Sequence, residues 1–583
     1  MLTDLLRRPL SLLAKLLPQT LRRRTFGGLS EPDPDGGLQI RLTVEQLVLV
    51  ASLFFALSAN RLFLGAALQG REASSASTWG FAVAILVALV AVHALLVGLV
   101  ANRWTVKPLL AVLIVGTAFA SHFMQTFHVY LDPSMLRNVM RTDVGEAREL
   151  LSLAMLVHLL IHAVLPLLVL SRVRIVTRPS WLRSTLVRLG MLLLTLGVLV
   201  GAILAIFQPF SSLMRNQKEM RFLITPANYL WSIGSVVAQD LRGARKPRAV
   251  IGEDAKPGPG WASQTRPRLL VLVVGETARA ANWGLNGYAR QTTPELAKLP
   301  VINFPDVTSC GTNTEVSLPC MFAPVGRRDY DEDRIRGSQS LLHVLSRAGV
   351  GVLWRDNQSG CKGVCEGLPS EEVAARPVAG LCEGGRCFDE ALLDGFDARL
   401  DRIAAGAGRE LLVLHQLGNH GPSYFRRYPP AFDRFQPACQ SDDLQKCSPQ
   451  EIVNAYDNAL LYTDHVVATL IGKLQARADR IDAAVLYVSD HGESLGENNL
   501  FLHGLPYSIA PDLQKKVPMV MWLSDGLQRS TGLDLACAKA VAARPVRHDH
   551  LFHTVLGLFD VQTTLHEREW DLLAACMPPA GKP

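Results

Sequence analysis

Apolar residues follow two different rhythms along this chain. Between residues 44 and 207 they run in long blocks almost free of charge, and from 268 onward they come in short bursts. Five blocks, 44–64, 79–101, 108–128, 152–171 and 187–207, each approach the ~20 residues a helix needs to cross a bilayer, and each is predicted to span one. The later bursts, RLLVLVVG, GVGVLW, ELLVLHQLG, AAVLYVS and VPMVMWL, are rich in Val and Leu and separated by helical stretches. That alternation predicts an α/β domain whose strands are buried on both faces in a largely parallel sheet.

Four segments follow. Residues 1–41 are expected to be a cytoplasmic tail, within which LLRRPLSLLAKLLPQTLRRR reads equally as an interfacial amphipathic helix. No small-residue cleavage site follows a short apolar core, so a signal peptide is not expected. Residues 42–207 form a transmembrane domain with five helices. Residues 208–267 are an interfacial bridging helix, with Phe222, Tyr229 and Trp231 suited to a membrane surface, followed by a Pro- and Gly-rich linker from 246. Residues 268–583 are expected to make the α/β domain.

The net charge of +7 points to topology rather than to nucleic acid. Arg7, Arg8, Lys15, Arg22, Arg23, Arg24 and Arg41 precede the first block. Arg103 and Lys107 lie between the second and third. Arg172, Arg174, Arg178, Arg183 and Arg188 lie between the fourth and fifth. The positive-inside rule puts all three groups in the cytoplasm, and an odd number of spans then places everything after 207 outside. The ten cysteines lead to the same compartment, because none precedes Cys310. Close pairs, Cys310 with Cys320, Cys361 with Cys365, Cys382 with Cys387 and Cys439 with Cys447, leaving Cys537 and Cys576, read as a disulfide framework in an oxidising space. No CxxC pair suggests a structural zinc site.

Open α/β sheets gather their active residues beyond the carboxyl ends of the strands. Glu276 follows the first burst, Asn419-His420-Gly421-Pro422 the third, and Asp490-His491 the fourth. One glutamate after a strand is ordinarily a helix N-terminal charge. Three strand ends presenting Glu, His and Asp-His are hard to explain by packing, and oxygen ligands with an imidazole suit zinc. A nucleophile is expected in SCGTNTEVSLPCMF, where a helix start favours phosphate. On residue type alone Thr312, Thr314 and Ser317 all qualify, and each could instead cap the helix.

Longer motifs carry a resemblance. GETARAANWGLNGYARQTTP, SCGTNTEVSLPCMF, DNQSGCKGVC, NHGPSYFRRYPP and SDHGESLGENNLFLHGLPY closely resemble the lipid A phosphoethanolamine transferases, a family that includes the mobile colistin-resistance enzymes. The resemblance runs from about residue 42 to 570. It implies an N-terminal five-helix transmembrane domain plus a C-terminal α/β/α alkaline-phosphatase-like (sulfatase-type) domain. It implies Glu276, Thr314, Asp490 and His491 as zinc ligands and Thr314 as nucleophile. His420 and His503 would handle phosphate and protons, and Lys362 and Ser359 would lie near the substrate phosphate. In DPSMLRNVMRTDVGEAREL, the loop after the third span, Asn138, Thr142 and Glu146 would meet the ethanolamine head group.

The activity so implied is transfer of phosphoethanolamine from phosphatidylethanolamine to a lipid A phosphate through a phosphoethanolamine-threonine intermediate, with a zinc-activated threonine attacking first. An added amine would weaken binding of polymyxins. The expected partners are the two lipids and the bilayer, with no nucleic acid, and a monomer is expected. Core sugars or glucans are alternative acceptors, and phosphoglycerol transfer of the lipoteichoic-acid synthase type is an alternative reaction.

Overall fold

The computed structural model describes residues 39–142, 144–244 and 247–577 of the 583-residue chain. The amphipathic stretch expected near the N-terminus lies outside the described residues. The chain divides into two compact units. The first runs up to Thr126 and resumes over Leu153–Trp231; the second comprises Phe127–Ser152 and Ser232 onward.

Among the described residues of the first unit, four helices are long and apolar enough to cross a membrane: Ala76–Val100, Val106–Phe127, Leu153–Ser171 and Trp181–Ala205. The fifth expected span, 44–64, is not one straight helix. Val44–Ser58 and Arg61–Leu68 meet at a 60° bend. The break has a local cause. The fully buried Asn60 side chain donates to the carbonyls of Phe55 (2.9 Å) and Thr225 (2.7 Å) and accepts from the Thr225 N–H (3.0 Å), which ties the chain down where a helix ladder would continue. A π turn at Leu160–Val164 interrupts the fourth expected span and ends two residues before Pro166, which brings no backbone N–H to the ladder. The bridge expected over 208–245 is likewise in pieces: Phe207–Asn216, a 3₁₀ turn at Lys218–Leu223, and Ala227–Ala244.

The second unit is built on an eight-stranded sheet. In chain order its strands are β1 (Arg268–Gly275), β2 (Ile302–Thr308), β3 (Gly351–Asp356), β4 (Ser370–Glu372), β5 (Arg409–His415), β6 (Asp482–Ser489), β7 (Lys516–Leu523) and β8 (Val546–Arg547). Across the sheet they lie β8-β2-β7-β6-β1-β5-β3-β4. β1, with every residue buried, is hydrogen-bonded in parallel to β5 and β6, as its unbroken apolar sequence requires. VPMVMWL departs from expectation, because β7 runs antiparallel to both β6 and β2. An apolar run reports burial on two faces but not strand direction. β2, which carries Pro305 and Asp306 within INFPDVT, had too weak an apolar signal to be expected at all.

Alternation along β1 divides the core. Leu270, Leu272 and Val274 pack with Leu341, Leu345, Phe552 and Leu556 on one face. Leu269, Val271 and Val273 pack with Leu460, Leu470 and Ile471 of the long helix Pro449–Gln475 on the other. The result is a helix-sheet-helix sandwich. Each such buried aliphatic side chain contributes roughly 1.5–3 kcal/mol, so the sheet is a stiff platform for what its strand ends carry. All ten cysteines form bridges, the four close pairs and Cys537–Cys576.

Candidate active site

β1, β2, β3, β5 and β6 run in one direction, so their carboxyl ends share one edge of the sheet. Glu276 follows β1 and is fully buried; Asp490 and His491 follow β6 and are fully buried. The backbone crosses closely here. Gly418, at φ +54°, passes Glu276 so tightly that an added Cβ would lie 2.7 Å from its carbonyl oxygen. Thr277, also in the left-handed region at φ +53°, directs its N–H to Asp490 (3.3 Å).

Thr314 arrives from β2 through the loop closed by Cys310–Cys320. It is the first residue of the helix Thr314–Met321, which Asn313 caps by accepting the Val316 N–H at 3.0 Å. Its hydroxyl lies 3.2 Å from both oxygens of Glu276 and 3.3 Å from Nε2 of His491. Nε2 is in turn 3.2 Å from Glu276 and 3.4 Å from Asp490. The other two candidate hydroxyls point elsewhere: Thr312 donates to the Leu505 carbonyl (2.6 Å) and Ser317 to the Asp490 carbonyl.

Glu276, Asp490 and His491 offer one ligand atom each within 4.8 Å of one another, an arrangement able to hold a metal ion. Three observations test that fit. Among the described residues no lysine or arginine pairs with either carboxylate, and Oδ2 of Asp490 receives no hydrogen bond. The Nδ1–H of His491 donates to the Gly492 carbonyl (2.9 Å), which leaves Nε2 facing the cluster as a metal-binding imidazole requires. Burial and the neighbouring Glu276 charge push Asp490 up to about 6. Burial pulls His491 down, but the charges of Asp490 and Glu276 outweigh it and hold it at about 10. A buried carboxylate and a buried imidazole both drawing protons in this way mark a site short of positive charge.

His503 lies against His491, with ring centroids 4.3 Å apart, and His420 lies 5.5 Å beyond His503. Burial first, then the neighbouring His503 and the charges of Arg427, His491 and Lys362, hold His420 well below the ordinary imidazole range. Burial and then His491 do the same to His503, whose Nδ1 is 3.3 Å from Glu493. Nδ1 of His420 is buried with no hydrogen-bond partner among the described residues. The Lys362 ammonium donates to the Ser359 hydroxyl (2.6 Å) and carbonyl (3.0 Å) and lies 3.5 Å from Glu315. Lys362 is therefore anchored through the residue next to Thr314.

The helix Pro133–Arg141 packs on the Thr314 helix, and Ser134 accepts a hydrogen bond from Asn313 (3.4 Å). Thr142 donates to the Asn138 carbonyl (2.8 Å), and among the described residues neither side chain has a hydrogen bond to Thr314, Glu276 or Asp490. Glu146 belongs to the helix Val144–Glu149, but its side chain lies outside the described residues.

Sequence reasoning missed the ionic contacts that hold this segment. Arg137 pairs with Glu332, Arg141 with the fully buried Glu315 (3.0 Å), and Glu149 with Arg427 (2.6 Å) and Arg386. A glutamate directly after the candidate nucleophile, in an otherwise apolar helix, was the available signal.

Comparison with known proteins bears on both units. The family profile for phosphoethanolamine transferase EptA/EptB matches residues 89–241, and the sulfatase profile matches 268–561. Phosphoethanolamine transferase EptA of Escherichia coli K12 is 37% identical over 530 residues, covering 91% of this chain and 96% of its own. The phosphatidylethanolamine transferase Mcr-1 of Escherichia coli is 38% identical, covering 89% and 96%. The solved integral membrane lipooligosaccharide phosphoethanolamine transferase A of Neisseria meningitidis superposes with a TM-score of 0.87 at 37% identity, over 92% of this chain and all of that one.

Proposed function

The chain belongs to the EptA/EptB phosphoethanolamine transferase family, and from that premise we propose that it moves phosphoethanolamine from phosphatidylethanolamine to a phosphate of lipid A by way of Thr314. The observation that carries this reading is the Thr314 hydroxyl, 3.2–3.3 Å from a carboxylate and an imidazole of a buried metal-binding cluster. The names of the relatives supply the donor and the kind of acceptor.

Zinc is the metal this donor set suits, with Glu276, Asp490, His491 and Thr314 as its four ligands. When bound, it would supply Lewis-acid charge that makes the Thr314 hydroxyl a better nucleophile near neutral pH. The Thr314 oxygen attacks the phosphorus of the donor; the new Thr–O–P bond forms as the bond to the diacylglycerol oxygen breaks. The threonine proton passes to one of the neutral imidazoles, His420 or His503, and from there to the departing oxygen. A lipid A phosphate oxygen then attacks the same phosphorus as the Thr–O–P bond breaks, and the proton of that phosphate monoanion passes through the same imidazole to the departing Thr314 oxygen. Lys362, steadied by Ser359 and Glu315, offsets charge spread over the phosphoryl oxygens. By the family resemblance, Asn138, Thr142 and Glu146 would bind the ethanolamine amine of the donor.

Topology supports a catalytic unit outside the cytoplasm. The two pieces of the second unit are separated by two helices fit to span, Leu153–Ser171 and Trp181–Ala205, so both pieces emerge on one side. The arginine groups assign the other side to the cytoplasm, and five disulfides suit the periplasm. We assign 1–41 to a tail, 42–207 to the membrane domain, 208–267 to the bridge and linker, and 268–583 to catalysis. The chain acts as a monomer. An amine added to an anionic lipid weakens attraction of polymyxins. Mass spectrometry of lipid A from cells with and without the gene tests the assignment: phosphoethanolamine on a lipid A phosphate supports it, and phosphoethanolamine only on core sugars or glucans contradicts it.

A further inference from the structure

The second unit holds a cleft of about 840 Å³ that the scheme above leaves unused. Its walls come from Arg148 and Glu149, from the hairpin closed by Cys382–Cys387, and from residues 425–428. It adjoins the candidate active site. Nε of Arg427, in its wall, donates to the His420 carbonyl at 2.6 Å, while Nη2 of the same guanidinium holds Glu149 at 2.6 Å.

Four arginines, Arg148, Arg386, Arg426 and Arg427, line the cleft against three carboxylates, Glu149, Asp442 and the exposed Glu383. Glu149, 4% exposed, is already bound by Arg427 and Arg386. Arg426, with half its side chain exposed, has one carboxylate contact, to Asp442 at 3.2 Å. Arg148 is exposed and has no ion-pair partner among the described residues. Two solvent-facing guanidinium groups therefore have capacity for another anion, and guanidinium forks suit phosphate geometry. Beside them Phe388 and Phe425 are half-buried, and Arg426 lies over the Phe425 ring at 5.0 Å. Arginines interleaved with aromatic faces match a ligand that is both sugar and anion, and the volume falls in the range of a built ligand site.

We propose that this cleft binds the acceptor, holding an anionic group of a phosphorylated saccharide remote from the phosphate that is modified. The inference rests on the lipid A reading and goes beyond it by locating the acceptor. The chemistry of the two lipids separates them. Phosphatidylethanolamine carries one phosphate, which must be at Thr314 to react, so it has no second anion to place here. A bisphosphorylated disaccharide has one.

The full-length enzyme in phospholipid-containing micelles provides the test. Two readouts are needed: formation of the Thr314 adduct from phosphatidylethanolamine, and transfer to bisphosphorylated or monophosphorylated lipid A. In Arg148→Glu/Arg426→Glu the adduct should form at the wild-type rate, while KM for the bisphosphorylated acceptor rises about tenfold, the worth of a charge-assisted contact. KM for the monophosphorylated acceptor should stay within about twofold, because the remote anion is missing. Arg148→Glu alone, at a position with no ion pair to disrupt, should raise the first KM several-fold, and Arg148→Lys/Arg426→Lys should restore most of the loss. An unchanged KM for the bisphosphorylated acceptor in Arg148→Glu and the double variant overturns the proposal. So does a parallel slowing of adduct formation in Arg148→Glu, which would assign the cleft to the donor. A wild-type enzyme that forms the adduct but transfers to no lipid A phosphate would instead overturn the acceptor assignment itself, before any variant is compared.

Discussion

The hydroxyl of Thr314 and the carboxylate of Glu276 meet at 3.2 Å although they come from different strand ends, Glu276 after β1 and Thr314 after β2. These strands are not neighbours; β6 and β7 lie between them in the sheet. The contact exists because a disulfide-closed loop carries the Thr314 helix back across the strand ends toward Asp490 and His491.

Metal content follows from this convergence. Purified wild-type protein should carry about one zinc per chain, and Glu276→Ala or Asp490→Ala should lose most of it. Thr314→Ala should retain the majority, because both carboxylates and the imidazole remain. Elemental analysis after dialysis against a weak chelator reads all four proteins.

Glu315 offers a second check. Its carboxylate is wholly buried and faces Arg141 (3.0 Å), Arg336 (3.3 Å) and Lys362 (3.5 Å). Glu315→Ala leaves three cations without their shared anion. The expected loss is roughly 2–4 kcal/mol, below the upper range for a buried pair because Arg141 is 39% exposed. A lower thermal midpoint and a slower donor half-reaction should appear together, since Lys362 loses its anchor.

The loop bridge should matter to stability as well as to position. Cys310 and Cys320 are both fully buried, and removing their bond in Cys310→Ser/Cys320→Ser should cost about 3 kcal/mol. Thermal unfolding of the variant beside wild type measures it. A reductant should destabilise the wild type by at least as much, because four other bridges are also exposed to it.

Asp464 gives a pH dependence clear of the metal cluster. It accepts the N–H groups of Glu295 (2.8 Å) and Leu296 (2.9 Å) from within the helix Pro449–Gln475, and burial pushes its carboxyl up to about 7. A carboxyl raised on folding binds its proton more tightly in the native state. Its contribution to stability is complete below pH ~4 and is lost as pH rises through about 7. Relative to Asp464→Asn, wild type should therefore lose on the order of 4 kcal/mol between pH 4 and 8. Thermal midpoints of both proteins across that range check the sign as well as the size.

How much was legible in the sequence depended on what each residue reports. Apolar runs gave β1, β3, β5, β6 and β7 because burial leaves a compositional mark. They did not give the direction of β7, which the chain's path decides, nor β2, whose Pro305 and Asp306 dilute the mark. Strand-end chemistry pointed to Glu276, His420, Asp490 and His491, whereas choosing Thr314 over Thr312 and Ser317 took the family resemblance. Of the three hydroxyls, that of Thr314 faces Glu276 and His491. Asn60 bends the first apolar block through a contact with Thr225, 165 residues away, which no local pattern encodes. Arg137, Arg141 and Glu149 looked like ordinary loop charges until the fold gave them buried partners.

The most direct test of the proposed chemistry is the intact mass of the purified enzyme incubated with phosphatidylethanolamine and no acceptor. Wild type should gain one phosphoethanolamine, mapped by peptide analysis to Thr314, and discharge it when lipid A is added. Thr314→Ala should gain nothing, while Thr312→Val and Ser317→Ala should label like wild type. Label on any other residue, or wild-type transfer to lipid A with no labelled enzyme at the shortest accessible times, would contradict a threonine-borne intermediate.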